Sequence, residues 1–523
     1  MNLKKIFLVI TFLAVSIGIF GMNSPIIKAI TTEELLAEIN RLQAQIAQLQ
    51  KQLAELQGKP AAWCHNFNTN LRIGDSGLEV EALQTALEKE GFNVSGDTKG
   101  NFGENTASAV ISFQEKYKSE ILGPWRLEHG TGYVGQTTRA KLNKLYGCGQ
   151  IVSPPVTTWQ KTYGGPDWDV GHSVSQTSDG GYIIAGGTGS YGAGGSDVYL
   201  VKTDANGNLI WQKTFGGIGN DYGYSVTQIS DGGYIITGET RSYATSGDVY
   251  GDVYLIKTDA NGNMIWQKTF GGTNYDCGYS VVQVSDGNYI IAGETGSYGA
   301  GEHDVYLIKT DSNGNMVWQK TYGGFSVDIG YSIAQTSDGD YIITGEFNDD
   351  DVYLIKTDAN GNMIWQKTYG LKTYDRAHGD SGYSVAQTSD GGYIIAGETR
   401  LIDGVHIWDV YLIKTDTNGN LIWQKTYGGT GNSIGRSVAQ TSDGGYVVAG
   451  ETSSYGAGGI DVYLIKTDSS GNMIWQKTFG GTDYDWGYSV VQASDGSYII
   501  AGNTRSYGAG RGGDVWLIKI AGE

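Results

Sequence analysis

From residue 157 onward, apolar and polar positions alternate in runs of six or seven residues, and the runs come in sets of four. One set, residues 223–270, reads "GYSVTQISDGGYIITGETRSYATSGDVYGDVYLIKTDANGNMIWQKTF". Its runs "YSVTQI", "YIITGET", "DVYLIKT" and "MIWQKTF" have the period of half-buried β-strands. "SDGG" joins the first pair and "DANGN" the last, both rich in residues that tolerate positive φ, so each pair predicts a hairpin. Near-copies of "WQKTYGG" begin at Trp159, Trp211, Trp266, Trp318, Trp365, Trp423 and Trp475, spaced 47 to 58 residues apart. Seven repeats of four antiparallel strands predict a closed, all-β seven-bladed propeller. The first copy stands without the "DVYLIKT" run that precedes every later one, and the chain ends on "DVWLIKI" (514–520) with no run after it. The N-terminal strand is therefore expected to complete the last blade and close the ring, which removes a bare sheet edge.

The first 150 residues follow other periods. Lys4 and Lys5 precede an apolar run, Ile6 to Met22, then "SPIIKA" ending at Ala29. This reads as an export signal over 1–29, with an uncleaved membrane anchor as the alternative. Leu35, Ile39, Leu42, Ile46, Leu49, Leu53 and Leu56 form a heptad seam with Ile39 and Ile46 at a and Leu35, Leu42, Leu49 and Leu56 at d. That pattern favours a parallel coiled-coil homodimer over 31–58, with a single helical spacer as the other reading. Residues 64–148 change to a 3.6-residue period, predicting helices near 77–90 and 104–117 and a third in "GQTTRAKLNKLYG". Residues 149–156, with a Pro-Pro step, read as a linker before the propeller at 157–523. The whole is a multidomain chain: coiled-coil helix, small all-α three-helix domain, all-β propeller.

Within the helical segment, Gly74, Asp75, Gly77, Val80, Leu83-Gln84, Leu87 and Gly91, followed by Phe102-Gly103, Thr106, Val110 and Phe113-Gln114, resemble the peptidoglycan-binding-like domain family. The resemblance implies a three-helix module that takes peptidoglycan near the Phe102-Gly103 loop, with Gln84 and Thr106 as polar contacts. "KSEILGPWRLEHGTGYVGQ", before the third helix, is longer than the family's link.

Charge sharpens the picture. The net charge is −19, while the first 150 residues are nearly balanced at 15 Lys+Arg against 14 Asp+Glu. The acidic propeller would repel a phosphate backbone, which argues against nucleic acid as a partner. Cys64 and Cys148 bracket the helical segment, and after export they are expected to form a disulfide; Cys277 is left as a free thiol. "DANGN" has the oxygen-rich spacing of a calcium loop but lacks its later bidentate carboxylate, so calcium is a weak candidate and no other cofactor is indicated. "DANGNLIW" also resembles the Trp-containing repeat of quinone-cofactor dehydrogenase propellers, without their vicinal cysteines. No nucleophile–base set and no metal spacing of histidines stands out, so an enzyme is the minor expectation.

The loops that join one repeat to the next, and those between the second and third runs within a repeat, vary between repeats and should lie together on one face of the disk. A rigid scaffold with variable loops is where recognition usually resides. The loops place Trp168, Asp169, Tyr222, Tyr275, Tyr374, Trp408, Tyr484 and Trp486 on that face, suited to a carbohydrate or a protein partner. The sequence therefore predicts an exported cell-envelope protein that attaches to peptidoglycan and presents a recognition face. A wall- or polysaccharide-modifying enzyme, or a quinone-cofactor dehydrogenase-like propeller, is the alternative.

Overall fold

The computed structural model describes residues 65–146 apart from 66, 68 and 126, and residues 156–522 apart from 248, 349–350, 371–378, 403–405 and 510–511. The expected signal, the heptad seam, Cys64, Cys148, the expected linker up to residue 155 and Tyr374 lie outside the described residues. No helix among the described residues is long and apolar enough to cross a membrane.

The helical domain holds α1 (Leu78–Lys89), α2 (Glu104–Lys116), a one-turn α3 (Lys118–Ile121) and α4 (Gln136–Tyr146). Val80, Leu83 and Leu87 of α1, Val110 and Phe113 of α2 and Leu142 of α4 are fully buried. These are the apolar positions of the 3.6-residue period, which a helix must turn to one side. The extra length before α4 is partly ordered as α3 and a 3-10 turn, Gly123–Trp125. Trp125 anchors it by donating its indole N–H to Thr137 at 3.2 Å.

Twenty-eight strands, numbered β1 to β28 in chain order, form seven four-stranded antiparallel sheets. Blade one is β2 (Asp169–Gln176), β3 (Tyr182–Thr188), β4 (Asp197–Thr203) and β5 (Leu209–Phe215). Blades two to six span 221–270, 276–322, 328–369, 381–427 and 433–479. Blade seven takes β26 (Asp485–Gln492), β27 (Tyr498–Thr504) and β28 (Asp514–Ile520), and its outer strand is β1 (Thr157–Tyr163). β1 pairs antiparallel with β28 from Thr157↔Ile520 to Tyr163↔Val515, so the displaced first copy is the clasp of the ring.

The core lies between blades rather than within them. Ile183, Val198 and Leu200 of blade one, for example, cluster with Val226, Ile236 and Ile256 of blade two. A sheet only one layer thick can bury both faces only against its neighbours, and each such side chain contributes about 1.5–3 kcal/mol. The repeated Trp belongs to the same seams. Trp159 packs against Tyr182 of the next blade with ring centroids 6.1 Å apart, and Trp211, Trp266, Trp318, Trp365, Trp423 and Trp475 repeat the contact at 5.9 to 6.5 Å. Each of the first six also lies under the glycine of the next blade's turn, "NGN" in five cases and "SGN" at Gly471. A Cβ on Gly207 would come within 2.7 Å of the Trp159 ring, and Gly207 has φ +72°. That one glycine therefore serves both the turn and the inter-blade contact.

Polar rings stitch the inner strands together. Ser173 Oγ accepts the N–H of Val226 in the next blade at 3.3 Å, and Ser489 closes the circle onto Val174 at 3.2 Å. Nearer the short turns, Gln228 Oε1 accepts the N–H of Ser178 in blade one, and Gln176 accepts that of Ser494 in blade seven. Lys202 meets Asp179 of the "SDGG" turn at 2.9 Å, and each of the other six blades carries the equivalent Lys–Asp pair. The repeated acids and lysines are thus largely scaffold.

Candidate functional site

Each inner strand begins on the face of the variable loops and descends toward the short turns. Near that face the sequence "G-x-S" turns one side chain per blade toward the axis. These are His172, Tyr224, Tyr279, Tyr331, Tyr383, Arg436 and Tyr488. His172 stands between Tyr488 and Tyr224 at 5.1 and 5.2 Å. Tyr224–Tyr279, Tyr279–Tyr331 and Tyr331–Tyr383 follow at 5.4, 5.3 and 5.0 Å. The Arg436 guanidinium lies 4.6 Å from the Tyr383 ring centroid. Together they form a collar of partly exposed side chains around the axis.

Above the collar stands a tier of carboxylates from the second strand of each blade: Glu239, Glu294, Glu346, Glu398 and Glu451, with Gly187 and Asn503 in blades one and seven. Tyr279 donates its hydroxyl to Glu294 at 2.5 Å, Tyr383 to Glu398 at 2.6 Å and Tyr331 to Glu346 at 3.4 Å. Arg436 Nη2 donates to Glu451 at 2.9 Å. Arg241 Nε lies 3.0 Å from Glu239, and His303 Nδ1 lies 2.8 Å from Glu294. The hydrogen bond to Glu294 raises the His303 pKa above its usual value, so this imidazole holds its proton more readily. Burial, reinforced by Arg436, drops His172 to about 4 and keeps it neutral. Burial raises the Glu398 carboxyl, against the pull of the Tyr383 hydroxyl.

The loop aromatics stand at the rim. Trp168 stacks on Tyr222 at 6.0 Å, and Tyr484 on Trp486 at 5.8 Å with planes only 12° apart. The Arg505 guanidinium covers Trp486 at 5.2 Å. These residues belong to blades seven, one and two, so the structure gathers four of the expected residues on one side of the mouth. Tyr275 instead donates to Glu239 at 3.1 Å and packs against His303. Trp408 lies apart in blade five, beside Arg400. Asp169 is fully buried, and its Oδ2 accepts the N–H of Gly165 and the hydroxyl of Ser190, both at 2.8 Å. It locks its loop from beneath and is not presented to a ligand. The collar and the glutamates were not singled out from the sequence. Their signal was available in the aligned repeats, where His172, Arg436, Gly187 and Asn503 break otherwise uniform columns.

In the helical domain, Gln84, Phe102 and Thr106 are 3%, 2% and 0% exposed. Gln84 Nε2 donates to Asn101 O at 3.0 Å and to Thr106 Oγ1 at 3.1 Å, and its Oε1 accepts the N–H of Gly100 at 2.8 Å. They therefore brace the Phe102-Gly103 loop from inside, and a wall contact would fall to exposed neighbours such as Ile73 and Leu78. Gly103 is small because Asp97 occupies the space beside it. Asp97 accepts the N–H groups of Gly103 and Thr106 at 3.0 and 2.7 Å and so caps α2. Against the burial that would raise it, hydrogen bonds from Thr106 and Asn105 hold the Asp97 carboxyl at about 2.

The "DANGN" turn uses its own carboxylate. Asp204 Oδ1 accepts the N–H groups of Asn206 and Asn208, both at 2.8 Å, and Oδ2 accepts the Asn208 amide at 2.9 Å. Among the described residues no group of three or more His, Cys, Asp or Glu side chains is arranged to hold a metal ion. Cys277 is buried at the mouth, and burial pushes its thiol well up.

Comparison with known proteins gives a family match for the helical domain. Residues 76–124 match the family described as "Putative peptidoglycan binding domain". A stretch of 111 residues is 28% identical to the regulatory protein FlaEY of Caulobacter vibrioides, covering 19% of this chain and only 12% of that protein's length. Among solved structures, the Neurospora crassa Pan2 WD40 domain is similar with TM-score 0.42 and 10% identity, covering 69% of this chain and 90% of that one. A protein of unknown function from Dyadobacter fermentans gives 0.40 and 10%, covering 71% and 100%. The chain thus carries a segment that matches the putative peptidoglycan binding domain family, ahead of a seven-bladed β-propeller.

Proposed function

We propose that this chain is an exported, cell-envelope binding scaffold: the helical domain attaches it to peptidoglycan, and the loop face of the propeller recognises a carbohydrate or protein ligand. The family match over residues 76–124 carries the attachment half of this reading. The stacked aromatics at the rim support the recognition half, since such pairs offer flat apolar area at little entropic cost.

Co-sedimentation of the chain from residue 30 with purified sacculi tests attachment. Removing 64–148 should leave the protein in the supernatant. Leu78→Glu, at a residue 80% exposed beside the Gly100–Phe102 loop, should weaken pelleting without unfolding the domain. Full-length protein that stays in solution with intact wall overturns the reading. A polysaccharide-modifying enzyme is the second reading, favoured by Glu398, whose carboxyl burial raises and nearby Glu451 raises further. A raised carboxyl beside a second carboxyl group is an arrangement that acid–base cleavage of a glycosidic bond can use. Reducing ends released from the same sacculi would decide for it.

A further inference from the structure

Seven near-identical blades would make a mouth of sevenfold symmetry, and this mouth is not symmetric. Gly187 stands where five other blades carry glutamate. A Cβ there would lie 3.0 Å from Tyr222 Cδ1 and 3.1 Å from Trp168 Cη2, so the missing side chain leaves room for the Trp168–Tyr222 stack. In the adjoining blade seven, Asn503 replaces the glutamate, gives its amide to Asp169 O at 2.6 Å and pairs across the sheet with Trp486. Blades seven and one therefore replace acids with aromatic surface, while blades two to six keep their acids.

Two features of the acidic half point to a ligand. Arg436 and Glu451 share one hydrogen bond, yet Arg436 Nε and Glu451 Oε2 are both buried with no partner. Glu451 is only 8% exposed. A free donor and a free acceptor on adjoining side chains match one hydroxyl group, which accepts from the first and donates to the second; buried polar atoms without partners are otherwise costly. The charges are also unequal. Arg241 and His303 answer Glu239 and Glu294, whereas one guanidinium, Arg436, pairs with Glu451 and acts at longer range on Glu398, whose hydrogen bond comes from the neutral Tyr383 hydroxyl. Carboxylates gathered in a partly enclosed mouth attract a cation more strongly than scattered surface acids do.

We propose that the mouth binds a glycan bearing free amino groups, its sugar rings against the aromatic half and its ammonium groups among the glutamates. The inference rests on the recognition reading of the same face and adds the charge of the ligand. It excludes anionic polysaccharides as the preferred ligand.

Calorimetric titration of the chain from residue 30 with three probes, a glucosamine hexamer, an N-acetylglucosamine hexamer and hexalysine, tests it at low salt. The glucosamine hexamer should bind at least about tenfold more tightly than either other probe, and salt should weaken it. Glu398→Gln with Glu451→Gln should cost about tenfold or more through lost charge-assisted bonds. Trp168→Ala should cost a similar factor while retaining the acids. Gly187→Glu, which restores the repeat residue and invades the aromatic stack, should abolish binding. Each variant is compared with the parent by melting, and Trp168→Ala keeps the test open where Gly187→Glu fails to fold. Equal binding of the acetylated hexamer, lost on Trp168→Ala, would overturn the charge inference and leave glycan recognition standing. Tighter binding of hexalysine would replace the glycan with a basic peptide, and no binding of any probe would overturn the proposal.

Discussion

Asp197 is 2% exposed, accepts the N–H of Ala193 at 2.8 Å through Oδ2, and faces Asp221 of the next blade across Gly216, where any side chain would meet both carboxylates. Burial raises its carboxyl to about 6, and Asp221 adds to the shift. Burial raises Asp252, Asp461 and Asp514 as well, each with an added push from an acid of the adjoining blade. An unfolded Asp titrates near 4, so between about 4 and about 6 the folded chain holds a proton that the unfolded chain has released. The stability this brings is complete below pH 4 and lost as the pH rises through 6. Asp197→Asn places a permanent donor where that proton sat. It should raise the melting temperature at pH 8, leave it nearly unchanged at pH 4.5, and so flatten the curve between; a lower melting temperature at pH 8 would contradict the paired-acid account. The repeat makes these aspartates visible as a recurring position before each third strand. The partner acid was not legible, because it comes from a different blade.

Among the elements, α2 shows how an end is set by residues outside it. Its N-terminus carries Gly103 and no local side-chain cap, so the capping acceptor arrives from Asp97, six residues upstream. Asp97→Ala should cost about 1–2 kcal/mol, as lost N-caps do, read as a lower urea midpoint for the loss of helical signal. Because the folded carboxyl titrates at about 2, its contribution is present above pH 4 and lost as the pH falls through 2; an unchanged midpoint at pH 7 would rule out the cap. The three principal helices were readable because their apolar faces repeat over ten or more residues. The one-turn α3 was not, since four residues hold no period and tertiary contacts decide their shape.

At the scale of the molecule, the ring closes through β1. Trp159 packs on Tyr182 and the Tyr163 hydroxyl donates to Gly207 O at 2.6 Å, so one strand joins blade seven to blade one. A chain beginning at 166 loses that strand and bares the edge of β28. Losing a large aromatic from such a seam costs about 3–5 kcal/mol before the strand pairing is counted, so this chain should melt well below one beginning at 156. Equal melting of the two would mean that the ring does not depend on its clasp.

Blade number, strand order and the clasp were legible because they follow from short-range periodicity and from a repeat that is one half-unit out of step. The aromatic residues of the rim were legible as variable-loop residues, though Asp169 and the loop-bracing Gln84, Phe102 and Thr106 proved to be internal. Spacing alone does not tell a buried polar side chain from an exposed one. The collar, the glutamate tier and its two-sided character were decided only by the tertiary structure. They are assembled from one residue per blade, about fifty residues apart in sequence, and become neighbours only when the ring closes.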